Sequence, residues 1–186
     1  MKFCKTTIDG AWMIDVEPLT DDRGFFARAW CEHEFAEHGC GGQFVQANLA
    51  YTKLRGTLRG LHYQLAPHEE AKLVRATRGA AFVVALDLRH DSPSYRRWCA
   101  AELTADNRRM LHVPAGCAQG YQTLLDDTEM FYHMSMFYQP AAARGVRYDD
   151  PGFDIPWPLA VAAISERDRA WPDYLGGWPS QGVPRS

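Results

Sequence analysis

The chain has 186 residues, with 20 Lys and Arg against 23 Asp and Glu, and a formal charge of −3 argues against a nucleic-acid binder held by bulk charge. Its 46% hydrophobic and 23% charged residues are the proportions of a globular protein rather than a disordered one, and this length buries a core without covalent staples. The longest apolar run, Ala80 to Leu86, falls far short of the roughly 18 residues of a membrane span.

The start, Met1-Lys2-Phe3-Cys4, lacks the apolar stretch of an export signal. Cys4, Cys31, Cys40, Cys99 and Cys117 are odd in number and form no Cys-x-x-Cys pair, which suits reduced thiols. A cytoplasmic protein with no membrane or nucleic-acid partner is expected. One domain is expected over residues 1–175, followed by a Pro- and Gly-rich tail over 176–186 that packs loosely.

Short alternating or β-branched segments separated by Pro and Gly predict an all-β sandwich or barrel. In chain order the expected strands are Trp12 to Val16, Phe44 to Tyr51, Thr57 to Gln64, Lys72 to Arg78 and Ala81 to Leu88. Tyr95 to Leu103, Met110 to Val113, Gln119 to Leu124 and Glu129 to Tyr138 complete the set. Helix signals are few: Glu32 to His38 stops at Gly39, and Ser165 to Ala170 opens with the capping pattern Ser-x-x-Asp.

Chemistry concentrates on the third of these strands. Gly56-Thr57-Leu58-Arg59-Gly60-Leu61-His62-Tyr63-Gln64 carries an arginine, a histidine and a glutamine, and a bulge at Gly60 would put Arg59 and His62 on one face. In the next strand Lys72, Val74 and Ala76 point one way and Leu73, Arg75 and Thr77 the other. Taken alone, Lys72 reads as a solvated strand end. Met130, Tyr132, Met134, Met136 and Tyr138 share a face that by itself reads as core with satisfied hydroxyls.

The strand pair around His62 and Gln119 resembles the two motifs of the cupin superfamily, a small jelly-roll barrel. Metal-binding cupins keep histidines where this chain has His62, Gln64 and Gln119. One imidazole with two neutral amides is a poor divalent-metal set, although His68, Glu69 and Glu70 follow closely, and no metal or other cofactor is expected.

More specifically, the chain resembles the dTDP-4-dehydrorhamnose 3,5-epimerase family. The likeness is carried by Asp22-Arg23-Gly24-Phe25-Phe26, Phe44-Val45-Gln46-Ala47-Asn48, Leu58 to Gln64, Lys72-Leu73-Val74-Arg75 and Val113-Pro114-Ala115-Gly116. Tyr132 with Tyr138, Asp149-Asp150-Pro151 and Ser165-Glu166-Arg167-Asp168 extend it, and Arg-Gly-Leu-His-Tyr-Gln is its most specific part. The resemblance implies cofactor-free epimerisation of a nucleoside-diphospho-4-keto-6-deoxyhexose in deoxysugar biosynthesis. His62 would be the general base, Asp168 its orienting carboxylate, Tyr132 the general acid on the opposite face of the sugar, and Lys72 the stabiliser of the enolate oxygen.

It further implies that Arg23 and Arg59 hold the diphosphate, that Gln46, Asn48 and Tyr138 contact substrate, and that a homodimer lets Arg23 act in trans. Four positions depart from the family pattern: Arg28, a substrate-binding position, and Ala143 stand where glutamates are usual, Val83 where an acid is usual, and Gln119 where histidine is usual. Gln119 keeps hydrogen-bonding capacity but cannot titrate. These changes leave three outcomes open: reaction at carbon 3 alone, a different nucleotide base, or a slow enzyme. Two other readings fit the same barrel: a cupin that binds a sugar nucleotide without turnover, and a metal-dependent cupin built on His62.

Overall fold

A computed structural model of the chain describes residues 1–174. The expected loose tail lies outside them. Thirteen strands and two short helices are present among the described residues, and every pairing between strands is antiparallel.

Six strands form one sheet. In spatial order they are Lys2–Lys5 (β1), Trp12–Asp15 (β2), Met110–Val113 (β10), Lys72–Arg78 (β7), Thr128–Met134 (β12) and Gln46–Thr52 (β5). The facing sheet runs Ala143–Gly145 (β13), Leu58–Gln64 (β6), Cys117–Thr123 (β11), Ala80–Asp87 (β8) and Trp98–Thr104 (β9). Leu19–Asp21 (β3) and Gly24–Phe26 (β4) make a separate hairpin. This is the two-sheet barrel expected of a jelly roll.

Three apolar clusters explain why these residues become strands. Between the sheets, Val74, Ala76 and Met130 from one wall meet Val83, Ala85, Leu103 and Tyr121 from the other. On the outer side of the five-stranded sheet, Leu61, Val84 and Leu86 are covered by Phe153, Trp157 and Tyr174 of the C-terminal segment. With both faces covered, β8 cannot alternate with polar residues, which is why the run from Ala80 to Leu86 is continuously apolar. Outside the six-stranded sheet, Ile14, Leu73 and Met110 pack on Phe35 of helix α1, Glu32–Glu37. Truncating Phe35, which is 1% exposed, would cost about 3–5 kcal/mol. Helix α1 ends as expected, with Gly39 at φ +70.

The structure corrects several expected boundaries. The last long strand stops at Met134, so Met136 and Tyr138 lie beyond it in the connection to β13. β9 begins at Trp98 rather than Tyr95, because 91–96 turns around the buried Asp87, whose carboxylate accepts from Arg89, Ser92 and Ser94. β1, β3, β4 and β13 are short and were not expected; their four or fewer residues give periodicity little to show.

Candidate active site

The two sheets enclose a cavity of about 690 Å³ whose walls carry most of the polar residues singled out above. From β6 come Arg59, His62 and Gln64, from β11 Gln119 and Tyr121, from β7 Lys72, from β12 Tyr132 and from β5 Gln46 and Asn48. Tyr138, Glu70, Arg144, Arg167 and Asp168 also line it.

The bulge at Gly60 is present. Gln119 pairs with His62 and Tyr121 with Arg59, so β6 advances three residues while β11 advances two. One extra residue turns Arg59 and His62 onto the same face. Gly60 has φ +109, and a Cβ there would stand 2.7 Å from the Gly120 Cα and 2.8 Å from the Gln119 carbonyl oxygen. Only glycine fits that close approach.

His62 Nε2 lies 2.6 Å from Asp168 Oδ1, and Gly60 N donates to Asp168 Oδ2 at 3.2 Å. Asp168 sits in the one-turn helix α2, Glu166–Arg169, and its backbone N–H donates to the Ser165 hydroxyl at 3.0 Å. The capping pattern is therefore made by the backbone of Asp168, which leaves its carboxylate free for the histidine. The segment before α2 is fixed to the start of β6 by Ala162 N to Gly56 O and Leu58 N to Ala163 O, which sets Ser165, Arg167 and Asp168 against the cavity. Burial alone would raise the Asp168 carboxyl, but the hydrogen bond and charge of His62 with the Gly60 N–H outweigh it and hold the group below its ordinary value.

With Nε2 directed at Asp168, Nδ1 is the nitrogen available to substrate; the His62 side chain is 44% accessible and Asp168 only 6%. A carboxylate on one ring nitrogen fixes the tautomer that leaves a lone pair on the other.

Tyr132 comes from the opposite wall. It pairs with Val74 and Asn48 in the six-stranded sheet, whereas His62 belongs to the five-stranded sheet. Burial raises its phenol above the ordinary value; Arg59 opposes the shift and Glu70 adds to it. A phenol kept neutral across the cavity from an imidazole gives one proton donor and one proton acceptor on opposite faces of whatever binds between them.

Lys72 is not a solvated strand end. It is 5% exposed, its Nζ donates to the His62 carbonyl oxygen at 3.1 Å, and it pairs with Glu70 Oε1 at 2.9 Å. The barrel closes over this end of β7, a fact invisible in a strand read alone. Arg59 Nε donates to Thr52 Oγ1 at 3.1 Å and Nη2 to the Tyr51 carbonyl at 3.1 Å, which ties the two sheets together at the cavity mouth. Gln46 Nε2 donates to Asn48 Oδ1 at 3.0 Å, and Gln46 Oε1 accepts from Tyr138 N at 3.2 Å, so these three residues form one linked group.

The amide of Gln64 is fully engaged with backbone: Nε2 donates to the His68 and Phe137 carbonyls and Oε1 accepts from Gln139 N. At the position where a metal-binding cupin keeps a second histidine, this chain has a loop anchor. Gln119, 8% exposed, has a buried Nε2 without a hydrogen-bond partner. Val83 is 0% exposed and pairs with Tyr121, two residues along β11 from Gln119, so the two departures are diagonal neighbours. Ala143 lies on β13 opposite Gln64 and lines the cavity beside Arg144.

Two expected site residues are elsewhere. Arg23 sits at the tip of the β3–β4 hairpin with its Nη2 2.5 Å from Asp21, and Arg28 pairs with Glu34 at 2.7 Å; neither lines the cavity of its own chain. Tyr121 and Arg167, for which the sequence suggests no role, line the cavity, as do Glu70 and Arg144. Glu70 carried a signal, an acid two residues before a strand lysine, but its pairing needs the closed barrel.

Comparison with known proteins identifies a family. Residues 5–175 match the family model for dTDP-4-dehydrorhamnose 3,5-epimerase. The enzyme of that name from Methanothermobacter thermautotrophicus is 41% identical over 173 residues, 91% of this chain and 92% of its own. The Bacillus anthracis dTDP-4-dehydrorhamnose 3,5-epimerase, solved with TDP and PPi bound, superposes with a TM-score of 0.89 at 36% identity, covering 93% of this chain and 99% of its own. A dTDP-4-dehydrorhamnose 3-epimerase from Streptomyces niveus is 36% identical over 163 residues, 87% of this chain and 78% of its own. The barrel, the site and these likenesses together make the chain a member of the dTDP-4-dehydrorhamnose 3,5-epimerase family.

Proposed function

We propose that the protein epimerises a nucleoside-diphospho-4-keto-6-deoxyhexose at one or both carbons flanking the ketone, with its own side chains as acid and base. The observation that carries this reading is the placement of His62 with Asp168 on one wall and Tyr132 on the facing wall of a single cavity. Inversion beside a ketone removes a proton from one face and returns one to the other. His62 Nδ1 takes the proton, and Asp168 stabilises the imidazolium through Nε2. Negative charge develops on the ketone oxygen, where the Lys72 ammonium meets it; one such preorganised donor contributes about 3 kcal/mol. Tyr132 then delivers its proton to the opposite face and is reprotonated from solvent, while the His62 imidazolium releases the abstracted proton to solvent, which returns both groups to their starting states.

Arg59 holds the diphosphate at the mouth, and Gln46, Asn48, Gln119 and Tyr138 contact the rest of the substrate. The fit of guanidinium forks to phosphate oxygens favours this division of roles.

A homodimer completes the site. Leu19 and Phe26 on the hairpin are 71% and 72% exposed, and Leu49 on the edge strand β5 is 65% exposed, an apolar surface suited to a second copy. In that dimer the hairpin carries Arg23 to the partner's cavity, which accounts for its distance from its own.

The deciding experiment is proton NMR of thymidine-diphospho-4-keto-6-deoxyglucose with the protein in deuterated water. Loss of signal at carbons 3 and 5 supports double epimerisation; loss at carbon 3 alone makes the protein a 3-epimerase and points to Val83 and Gln119. No exchange with either the thymidine or the cytidine nucleotide overturns the reading in favour of a binding protein.

A further inference from the structure

Glu70 is 4% exposed, lines the cavity, and has a carboxylate oxygen, Oε2, buried without a hydrogen-bond partner. Its other oxygen is 2.9 Å from Lys72 Nζ, and the two side chains are only 4% and 7% accessible. A buried ion pair with an orphan oxygen is not an economical way to hold a barrel together, because desolvation of the two charges offsets most of their attraction. Such pairs recur where a charge must be held ready for chemistry.

The geometry around Lys72 shows what is being held. An ammonium has three N–H donors. One is directed at Glu70 Oε1 and one at the His62 carbonyl, across the barrel on the other sheet. Glu70 precedes β7 and His62 lies in β6, so the ammonium is fixed from both walls at once. One N–H is left for the cavity. The same carboxylate also disfavours ionisation of Tyr132.

We propose that Glu70 is a positioning residue for the epimerisation: it fixes the Lys72 ammonium so that its remaining N–H points at the ketone oxygen of the bound sugar. This rests on the epimerase reading of the cavity. Glu70 itself touches neither the sugar nor the migrating proton, so its loss acts through Lys72 and falls on turnover rather than on nucleotide binding.

The test compares wild type, Glu70→Gln, Lys72→Ala and the double variant, following solvent deuterium incorporation into thymidine-diphospho-4-keto-6-deoxyglucose, with dTDP affinity measured by calorimetry. Gln keeps the volume of Glu70 and still accepts from Nζ, so the fold survives, and circular dichroism checks it. The expected result is a fall in kcat of about 10- to 100-fold in Glu70→Gln, the scale of a misplaced catalytic group, with KM and dTDP affinity within about twofold. In the Lys72→Ala background the same substitution adds no further loss, since residues acting as one unit are non-additive. An unchanged kcat in Glu70→Gln, or an undiminished loss in the Lys72→Ala background, overturns the proposal while leaving the epimerase reading intact. Absence of exchange in the wild type with both the thymidine and the cytidine nucleotide overturns the epimerase reading itself, and the positioning role with it.

Discussion

His62 and Asp168 are 106 residues apart in the chain, yet Nε2 and Oδ1 meet at 2.6 Å. The contact joins a bulged strand to a one-turn helix at the cavity wall, and it leaves Nδ1 as the ring nitrogen not engaged by Asp168. Replacing His62 by Ala is expected to lower solvent-proton exchange at the substrate carbons by about 10²- to 10⁴-fold, with the far-UV spectrum unchanged. Exchange at the wild-type rate in that variant would remove His62 from the mechanism.

Asp168 links the same contact to stability. Its carboxyl lies below the ordinary value of 3.8 in the folded chain. A depressed folded pKa means that the charge stabilises the fold fully above the unfolded value and that this stabilisation is lost as pH falls through the folded one. Asp168→Asn is therefore expected to be less stable than wild type near neutrality, the gap closing as pH drops from about 5 to below 3.8. Urea midpoints of both proteins across that range give the answer, and a constant gap contradicts the assignment.

Tyr132 stands on the far wall, so its removal separates the two halves of the reaction. In Tyr132→Phe, His62 still exchanges the substrate proton with solvent and returns it to the face it came from. The inverted sugar falls by about 10²- to 10⁴-fold while deuterium incorporation continues. Equal loss of exchange and inversion would place Tyr132 with His62 rather than opposite it.

Gly60 sets the geometry that both depend on. Gly60→Ala forces a Cβ to 2.7 Å from the Gly120 backbone at φ +109. Strain and overpacking together predict a loss of about 2–6 kcal/mol, read as a lowered denaturation midpoint. Wild-type stability would mean that the bulge relaxes without cost.

The hairpin prediction concerns assembly. Phe26→Asp is expected to shift the protein to monomer in light scattering and to remove activity. Mixing equal amounts of inactive His62→Ala and Arg23→Ala chains restores activity to roughly one site in four when each site draws on both chains, from the statistics of random pairing of copies. No recovery on mixing would mean that Arg23 serves its own chain or none.

Much of this protein is determined by its sequence alone. Alternation with period two and punctuation by Gly and Pro mark the long strands, and Arg59-Gly60-Leu61-His62-Tyr63-Gln64 marks the bulged strand and the family. Local chemistry suffices for Ser165, which caps its own turn, whereas the need for glycine at 60 comes from Gln119 and Gly120 on the adjacent strand. The rest is decided by tertiary structure. Alternation says which residues share a face but not what covers that face. Lys72 therefore reads as exposed until the barrel closes over it, and Tyr132 as core until it is seen to line a cavity. The pairing of Glu70 with Lys72 is close in sequence but gains its meaning from burial. Arg23 belongs to the motif and Arg28 departs from it, yet both stand away from the cavity of their own chain, because a projecting hairpin and the segment after it are placed by what packs against them. Contacts between distant segments are set by how the sheets fold onto one another, and no local pattern encodes that.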